Sequence, residues 1–321
     1  AMSGLRATNF SSGQGIAYMH ESLYAAVGKR LTYVLNIGAR AMTKNTLNVH
    51  AGHDDYHAID DTGFFQYFAK NVQEAGDLPL IAHRTAELAL NPGVVAQDGF
   101  LTTHVIESAY IPERECVKEY LGDPSDIVES PTAAQRWVFG EKRRRIPAMF
   151  DVDYPAMVGV VQNQESYQQG VAAQRPFFFD HIAQLADQAM EEYAALTGRR
   201  YTRATGYRMD DAEYVILGQG SIVCNAEAVC DYLRDTKGLK VGVVNLTMFR
   251  PFPADILTKM LRGKKAITVL ERTDQPLAVD LPIVREIRAA FGKALENGRG
   301  NGSKPHADLE PYSPADVPEL Y

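Results

Sequence analysis

Short apolar runs alternate with amphipathic stretches along the first hundred residues. Leu31–Ile37 (LTYVLNI) predicts a buried strand, and the apolar positions of the preceding Gly15–Val27 recur at helical spacing. Leu78–Leu90 contains a mixed or helical run, and Val94–Gln97 is a second apolar strand. Such alternation predicts a parallel sheet whose strands are joined by helical crossovers.

A second unit follows the helical spacing of His181–Leu196. Three apolar strands alternate there with two helices and predict a βαβαβ core: Glu213–Leu217, Asn225–Arg234, Val241–Leu246, Ala254–Leu261 and Ala266–Leu270. After Ala289 the chain becomes polar and rich in glycine and proline, as linkers do. The pattern predicts domains at residues 1–200 and 210–295, and a linker or tail at residues 296–321.

Composition narrows the class of protein. The chain has 321 residues, 45% apolar and 23% charged, which fits about two globular domains. A net charge of -7 argues against nucleic acid as a partner, because phosphate binding needs a basic surface. We find no apolar run long enough for a membrane span and no signal peptide, so we expect no membrane partner and a cytoplasmic location.

The cysteines also favour an intracellular location. Cys116, Cys224 and Cys230 form an odd, sparse set without a CxxC pair, which is typical of a reducing compartment. An iron-sulfur cluster usually needs four thiolates at tight spacing, so we expect none held by this chain alone.

Candidate chemistry is concentrated after the first predicted strand. Arg40 follows Leu31–Ile37 directly, in the sequence GAR. Ligands of open α/β sheets bind at the carboxyl ends of the strands, and a guanidinium there can hold a carboxylate by two parallel hydrogen bonds. By position alone, an arginine that is solvated or salt-bridged is the more common case.

Three histidines follow Arg40. His50, His53 and His57 have helical i, i+3, i+7 spacing and lie among carboxylates, a pattern that could bind zinc. No HExxH order is present, and we favour a polar loop whose His53 and Asp55 line a pocket or cap a helix. We predict no metal ligand in this chain.

Two Gly-x-Gly elements occur, at residues 13–15 and 218–220, and the second follows a strand and opens a helix. Neither extends to GxGxxG, so a tight turn explains both. A helix N-terminus at the second element could still hold an anion.

Several strings together resemble the pyruvate:ferredoxin (flavodoxin) oxidoreductases, a family of thiamine-diphosphate-dependent 2-oxoacid oxidoreductases. The resemblance runs through nearly the whole chain. In order, the strings are SSGQG (11–15), ARA (39–41), GHDDYHAIDDTGF (52–64), QDGFLTTH (97–104), QNQESYQQG (162–170), LTGRRY (196–201), FRPFP (249–253) and VLERTDQP (269–276).

The resemblance implies an α/β fold: a doubly wound parallel sheet of the thiamine-diphosphate-binding type, then a smaller transketolase C-terminal-like domain. Residues 1–200 would cover the pyrimidine half of the cofactor. Arg40 resembles the family's arginine that binds the substrate carboxylate. Catalytic and cofactor-binding residues are not assigned, and the family's Tyr-Pro-Ile-Thr-Pro segment and activating glutamate are not found before Ser11.

The family also implies a larger assembly. Thiamine diphosphate and Mg²⁺ would be shared with domains outside this chain, and iron-sulfur clusters would lie in partner domains. CoA, a 2-oxoacid and ferredoxin or flavodoxin are the expected partners, within a homodimer of the full enzyme, and we expect this chain alone to be inactive. Pyruvate is the favoured substrate. The alternatives are another 2-oxoacid such as 2-oxoglutarate, a zinc-dependent hydrolase using His50, His53 and His57, and a non-catalytic interaction subunit.

Overall fold

A computed structural model of the protein describes residues 1–149, 161–300 and 302–321. The strands are β1 (Ala7–Ser11), β2 (Tyr33–Ala39), β3 (Phe65–Ala69), β4 (Gly93–Asp98), β5 (Ile127–Glu129), β6 (Lys142–Arg144), β7 (Ala204–Tyr207), β8 (Tyr214–Gly218), β9 (Val241–Leu246), β10 (Met248–Arg250), β11 (Ala266–Leu270) and β12 (Glu319–Leu320). The helices are α1 (Gln14–Gly28), α2 (Asp54–His57), α3 (Val72–Ala89), α4 (Arg114–Leu121), α5 (Ala133–Phe139), α6 (Gln164–Phe177), α7 (Ile182–Thr197), α8 (Ile222–Lys237), α9 (Ala254–Leu261) and α10 (Pro282–Asn297).

Two five-stranded sheets organise the molecule. The first has the order β1-β2-β4-β3-β10, in which only β10 is antiparallel to its neighbour. The second has the order β12-β11-β8-β9-β7, with β7 antiparallel. Strands β5 and β6, which α5 separates in sequence, form a two-stranded antiparallel sheet of their own. The predicted α/β fold with parallel sheets is confirmed.

Helices cover both faces of the first sheet. Leu35 of β2 packs on the side of α1, where Ile16 and Leu23 are buried. Val34, the next residue along β2, packs on the opposite side with Leu78 of α3. Successive side chains of a strand point to opposite faces, so a strand buried on both sides reads as a continuous apolar run. The sheet is doubly wound, as predicted.

The two sheets share one hydrophobic core. Leu35 and Phe68 of the first sheet belong to the same buried cluster as Leu217 and Val244 of the second. Strand β10 strengthens this connection, because it lies beyond residue 210 in sequence but pairs with β3 of the first sheet. The predicted domain boundaries stay a prediction.

The C-terminal segment packs against the second sheet, although its composition is typical of a linker. Tyr312 is 1% exposed, and β12 pairs in parallel with β11. Helix α10 also extends to Asn297, whose amide donates to the carbonyl of Leu309 at 2.8 Å. Asn301, which the predicted tail includes, lies outside the described residues. No helix in the described ranges is long and apolar enough to cross a membrane.

Candidate functional site

The candidate site lies at the carboxyl edge of the first sheet. Strands β1, β2 and β4 are parallel, so their carboxyl ends lie at one edge. Gly13 follows β1, Arg40 follows β2 and Asp98 ends β4. The fold therefore gathers loops with polar side chains at the edge where α/β proteins bind ligands.

Arg40 is half-buried and has an unused donor. Its Nη2 donates to Oε1 of Gln14 at 2.6 Å, and Nε2 of Gln14 donates to Oγ1 of Thr43 at 2.9 Å. The Nε of Arg40 is buried and has no hydrogen-bond partner within the described part of the chain. A buried donor without an acceptor is unfavourable, and an oxygen of an anionic ligand would satisfy it.

The guanidinium of Arg40 lies against the backbone of Gly13. A Cβ at Gly13 would lie 2.6 Å from both Nε and Nη2 of Arg40, and Gly13 has a φ of +52°. An L-residue there would strain the backbone and displace the guanidinium. The first glycine of the first Gly-x-Gly element is thus required by a close contact within the protein.

Asp55 joins the loop after β1 to the end of β2. Its fully buried carboxylate accepts hydrogen bonds from the backbone N–H groups of Gly13 at 2.7 Å, Arg40 at 3.1 Å and Tyr56 at 2.9 Å. Burial raises the pKa of Asp55 to about 6, although the three N–H groups and the charge of Arg40 act in the opposite direction.

A second buried carboxylate, Asp98, connects the two sheets. His53 Nε2 lies 2.8 Å from Oδ1 of Asp98, and the N–H of Ser221 donates to Oδ2 at 2.6 Å. Arg272 closes the cluster: its carbonyl accepts the N–H of His53 at 2.8 Å, and its Nη1 donates to Oγ of Ser221 at 3.0 Å. These residues come from β4, the start of α2, the start of α8 and the loop after β11.

The charges in this cluster follow from its burial. Burial lowers the pKa of His53 and favours the neutral imidazole. Burial opposes ionisation of Asp98, but hydrogen bonds from His53 and Ser221 lower the pKa of this carboxyl. A neutral His53 therefore donates from Nε2 to an ionised Asp98.

The carboxylate of Asp98 lies against the second Gly-x-Gly element, residues 218–220. Gly220 has a φ of +77°, and a Cβ there would lie 2.6 Å from Oδ2 of Asp98. The sequence suggested that the N-terminus of α8 could hold an anion, and in the structure the side chain of Asp98 supplies it. Gln219 is fully buried. The hydrogen bond from Ser221 to Asp98 connects this element of the second unit to the first sheet.

A cavity of about 300 Å³ lies beside α2. Its lining includes Asp54 and His57 of α2 and Lys44, whose Nζ lies 3.3 Å from carboxylate oxygens of Asp54 and Asp274. His53 and Asp55, the residues that we expected to line a pocket, are buried. Residues 54 and 57 are three apart and share one face of the helical turn. His57 is also buried, but unlike residues 53 and 55 it is one of the residues around the cavity. His53 precedes α2, but its side chain does not cap the helix.

The three histidines do not converge on a metal site. The ring of His50 lies against Phe100, with centroids 4.9 Å apart, while Nδ1 of His57 lies 3.0 Å from Oδ2 of Asp60. Helix α2 is a single turn that starts after His50, so the helical spacing does not continue. Within residues 1–149, 161–300 and 302–321, no group of three His, Cys, Asp or Glu could hold a metal ion. The zinc-hydrolase alternative has no ligand set there.

Sequence reasoning missed Gln14, Asp98 and Ser221. Asp98 had a signal, because it directly follows a predicted strand and precedes a glycine. Gln14 is the central residue of the first Gly-x-Gly element and shows no pattern that marks it as the partner of Arg40.

Residues 1–190 match the family model described as pyruvate flavodoxin/ferredoxin oxidoreductase, thiamine diphosphate binding. The chain belongs to this family. Residues 212–300 match the model described as pyruvate:ferredoxin oxidoreductase core domain II. The family resemblance drawn from the strings is confirmed, and a thiamine-diphosphate-binding description covers the part of the chain that contains Arg40.

Curated relatives agree. The chain is 31% identical over 299 residues to the probable pyruvate-flavodoxin oxidoreductase of Escherichia coli K12, covering 92% of this chain and 24% of that protein. It is 30% identical over 293 residues to the pyruvate synthase subunit PorA of Thermotoga maritima, covering 91% of this chain and 69% of PorA. The chain thus spans about a quarter of the first relative and two thirds of the second.

A solved structure has the same fold. The 2-oxoglutarate:ferredoxin oxidoreductase from Magnetococcus marinus, determined with 2-oxoglutarate, coenzyme A and succinyl-CoA bound, matches with a TM-score of 0.55 and 13% identity. The match covers 98% of this chain and 50% of that one. The predicted fold of the thiamine-diphosphate-dependent type is confirmed.

Proposed function

We propose that this chain is one part of a thiamine-diphosphate-dependent pyruvate:ferredoxin or flavodoxin oxidoreductase, and that Arg40 binds the carboxylate of pyruvate. The whole enzyme would convert pyruvate and CoA into acetyl-CoA and CO₂ and pass the released electrons to ferredoxin or flavodoxin. The names of the relatives and the family model support the reaction. The buried, unpaired Nε of Arg40 at the sheet edge supports the role of this residue.

The hydrogen-bonding capacity of Arg40 suits a carboxylate. Nε–H and one Nη2–H lie on the same edge of a guanidinium, where two carboxylate oxygens can accept them in parallel. Gln14 already accepts from Nη2, but that nitrogen carries two N–H groups. A substrate carboxylate can therefore take the free Nε–H and share or replace the contact with Gln14.

Thiamine diphosphate, when bound, supplies the nucleophilic carbon and the electron sink that 2-oxoacid chemistry needs. The contribution of Arg40 is orientation: a carboxylate held at two points fixes the direction of the adjacent carbonyl carbon. The orphaned Nε fits the acid end of the substrate. The thiamine-diphosphate-binding description of residues 1–190 supports a cofactor at the same domain.

We assign the remaining chemistry to parts of the enzyme outside this chain. The relatives are subunits or longer proteins, which supports other domains or subunits as partners. Ligands for Mg²⁺ and the cofactor diphosphate, the iron-sulfur clusters, and the contacts to CoA and ferredoxin or flavodoxin would lie there. The full enzyme would be a homodimer in the cytoplasm.

Two other functions stay as alternatives. A different 2-oxoacid such as 2-oxoglutarate would use the same arginine, and the solved neighbour acts on that acid, but its 13% identity to this chain carries only the fold. A non-catalytic subunit would retain the fold without needing an unpaired donor on Arg40.

The decisive experiment substitutes Arg40 in the full enzyme with all its partner domains. For Arg40→Ala we expect a higher KM for pyruvate and a kcat/KM that is roughly 30-fold lower. This fall corresponds to about 2 kcal/mol of lost transition-state stabilisation, because a two-point ion pair is lost. Arg40→Lys should recover only part of this loss, since an ammonium lacks the planar fork.

Arg262→Ala is the matched control, because it removes an arginine whose ion pair with Asp316 is partly exposed on the second sheet's side. Steady-state kinetics with pyruvate and with 2-oxoglutarate would also assign the substrate. Unchanged kinetics for Arg40→Ala would refute the role of Arg40, and turnover without thiamine diphosphate would refute the reaction class.

A further inference from the structure

We infer that Asp55 is a positioning residue that sets the guanidinium of Arg40 for the substrate. This inference rests on the function proposed for Arg40 and extends it to a residue that cannot touch the substrate, because Asp55 is 0% exposed. Asp55 acts through the backbone of the two segments that carry the arginine and the surface on which it lies.

Asp55 accepts three hydrogen bonds, two of them from the segments that carry Gly13 and Arg40. Oδ2 of Asp55 accepts the N–H of Gly13, and Oδ1 accepts the N–H groups of Arg40 and Tyr56. Gly13 lies after β1 and Arg40 after β2, so one carboxylate fixes the separation of two adjacent strand ends. Tyr56 lies in α2 and anchors the carboxylate itself.

The two segments also contact each other directly. The guanidinium of Arg40 packs so closely on Gly13 that a Cβ there would lie 2.8 Å from Cζ. Because Asp55 sets the separation of Gly13 and Arg40, it also sets the surface on which the guanidinium rests. A change in this separation would move the unpaired Nε relative to a bound carboxylate.

Only a carboxylate of this length satisfies the three N–H groups. Both oxygens are acceptors, and each faces at least one N–H. An asparagine would place an NH₂ group opposite an N–H donor in either orientation of its amide. An alanine would leave three backbone N–H groups without this acceptor. A glutamate would keep both acceptors but displace them by a methylene.

Stability alone does not explain this arrangement. Burial raises the pKa of Asp55 to about 6, so keeping the carboxylate ionised at neutral pH opposes folding. The ionised form is nevertheless the one that accepts all three hydrogen bonds. A positioning role at the substrate site explains why an ionised carboxylate is kept at this buried position.

The test is Asp55→Asn in the full enzyme with its partner domains. We expect the KM for pyruvate to rise about tenfold, while the KM for CoA stays within about twofold, because only the carboxylate contact is misplaced. A merely structural role would instead lower the active fraction and leave both KM values unchanged. Asp60→Asn is the matched control: Asp60 lies just after α2, the helix that contains Asp55, but it pairs with His57.

A double-mutant cycle separates this inference from the function proposed for Arg40. If Asp55 acts through Arg40, Asp55→Asn should change the KM for pyruvate by less than about twofold in an Arg40→Ala background. Equal effects of Asp55→Asn in both backgrounds would overturn the inference while leaving Arg40 as the substrate ligand. No effect of Arg40→Ala would overturn the proposed function first.

Asp55→Glu provides a second variant if Asp55→Asn does not fold. It preserves the charge and both acceptors but moves them, so we expect a raised KM for pyruvate that again disappears in the Arg40→Ala background. A wild-type KM for Asp55→Glu, in an enzyme that Arg40→Ala impairs, would also overturn the inference.

Discussion

The two Gly-Gln-Gly junctions have the same sequence but different roles. Residues 13–15 connect β1 to α1, and residues 218–220 connect β8 to α8. At the first junction the N–H of Gly13 donates to buried Asp55 of α2, and directly after the second the N–H of Ser221 donates to buried Asp98 at the end of β4. Neither loop presents that N–H to an outside anion.

The difference between the junctions lies in what surrounds them. At the first, Gln14 is exposed and Arg40 retains an unused Nε–H, the donor on which the proposed substrate contact depends. At the second, Gln219 and Gly220 are buried between the sheets, and the carboxylate of Asp98 already fills the space. A glycine motif after a strand therefore identifies a close approach of the backbone, and the neighbouring side chains decide whether it forms a site.

The largest effect is expected at the second junction. Asp98→Ala should lower the free energy of unfolding by about 3–5 kcal/mol, because it leaves the guanidinium of Arg272, His53 and the N–H of Ser221 without their shared acceptor. Chemical denaturation measures this loss. Asp274→Ala is the control, since Asp274 is exposed and pairs with Lys44. This substitution should lower the free energy of unfolding by at most about 1 kcal/mol. Similar costs for the two variants would contradict the prediction.

Gly220→Ala should have the next largest effect. The new Cβ would meet Asp98 at 2.6 Å and Phe68 at 2.8 Å, at a φ of +77°. We expect a loss of about 2–3 kcal/mol in denaturation experiments. Gly238→Ala tests the backbone alone, because Gly238 has a φ of +64° but nothing within 4 Å, and it should cost about 1 kcal/mol. Equal losses would mean that the contact with Asp98 is unimportant.

The pH dependence of stability tests the first junction. The pKa of Asp55 is raised from 3.8 to about 6, so its contribution to stability is fully present below about pH 4 and is lost as the pH rises through 6. The facing charge is Arg40, which limits the shift. Between pH 4 and pH 7, wild type should lose on the order of 2 kcal/mol relative to Asp55→Asn. Parallel stability curves for the two proteins would exclude a raised pKa.

The smallest effect is expected for Gly13→Ala, and it should appear in substrate binding. A Cβ at 2.6 Å from the guanidinium would displace Arg40, and we expect the KM for pyruvate to rise about tenfold in the full enzyme. Gly28→Ala is the control. Gly28 ends α1, the helix that follows Gly13, and a Cβ there would have nothing within 4 Å, so this KM should stay unchanged. If both variants keep the wild-type KM, the packing of Arg40 on Gly13 does not matter for binding.

Sequence patterns predicted the elements that have a clear period or a long apolar run. Helix α1 and strands β2, β9 and β11 lie close to their predicted bounds. Strand β3 was missed: all five of its residues are buried, so it shows no alternation, and it follows a polar loop directly. Helix α10 was missed because its last turns run into a glycine-rich stretch.

The candidate site was only partly predictable for a different reason. Arg40 could be identified because it directly follows a predicted strand, where α/β proteins bind ligands. The hydrogen bonds that complete the site join residues far apart in sequence: Gly13 is 42 positions from Asp55, and Gln14 is 26 positions from Arg40. Such pairs follow from the order of the strands in the first sheet and the loops that this order brings together, which no local pattern encodes.

The pairing of β10 with β3 limits how this protein can be divided. A fragment that ends near residue 200 would lose β10 and leave β3, whose residues are all buried in the whole chain, as an uncovered edge. Uncovered apolar edge strands pair with other chains and aggregate. Separate expression of the two family-matched segments should therefore yield insoluble material for the first, even though each segment matches its own family model.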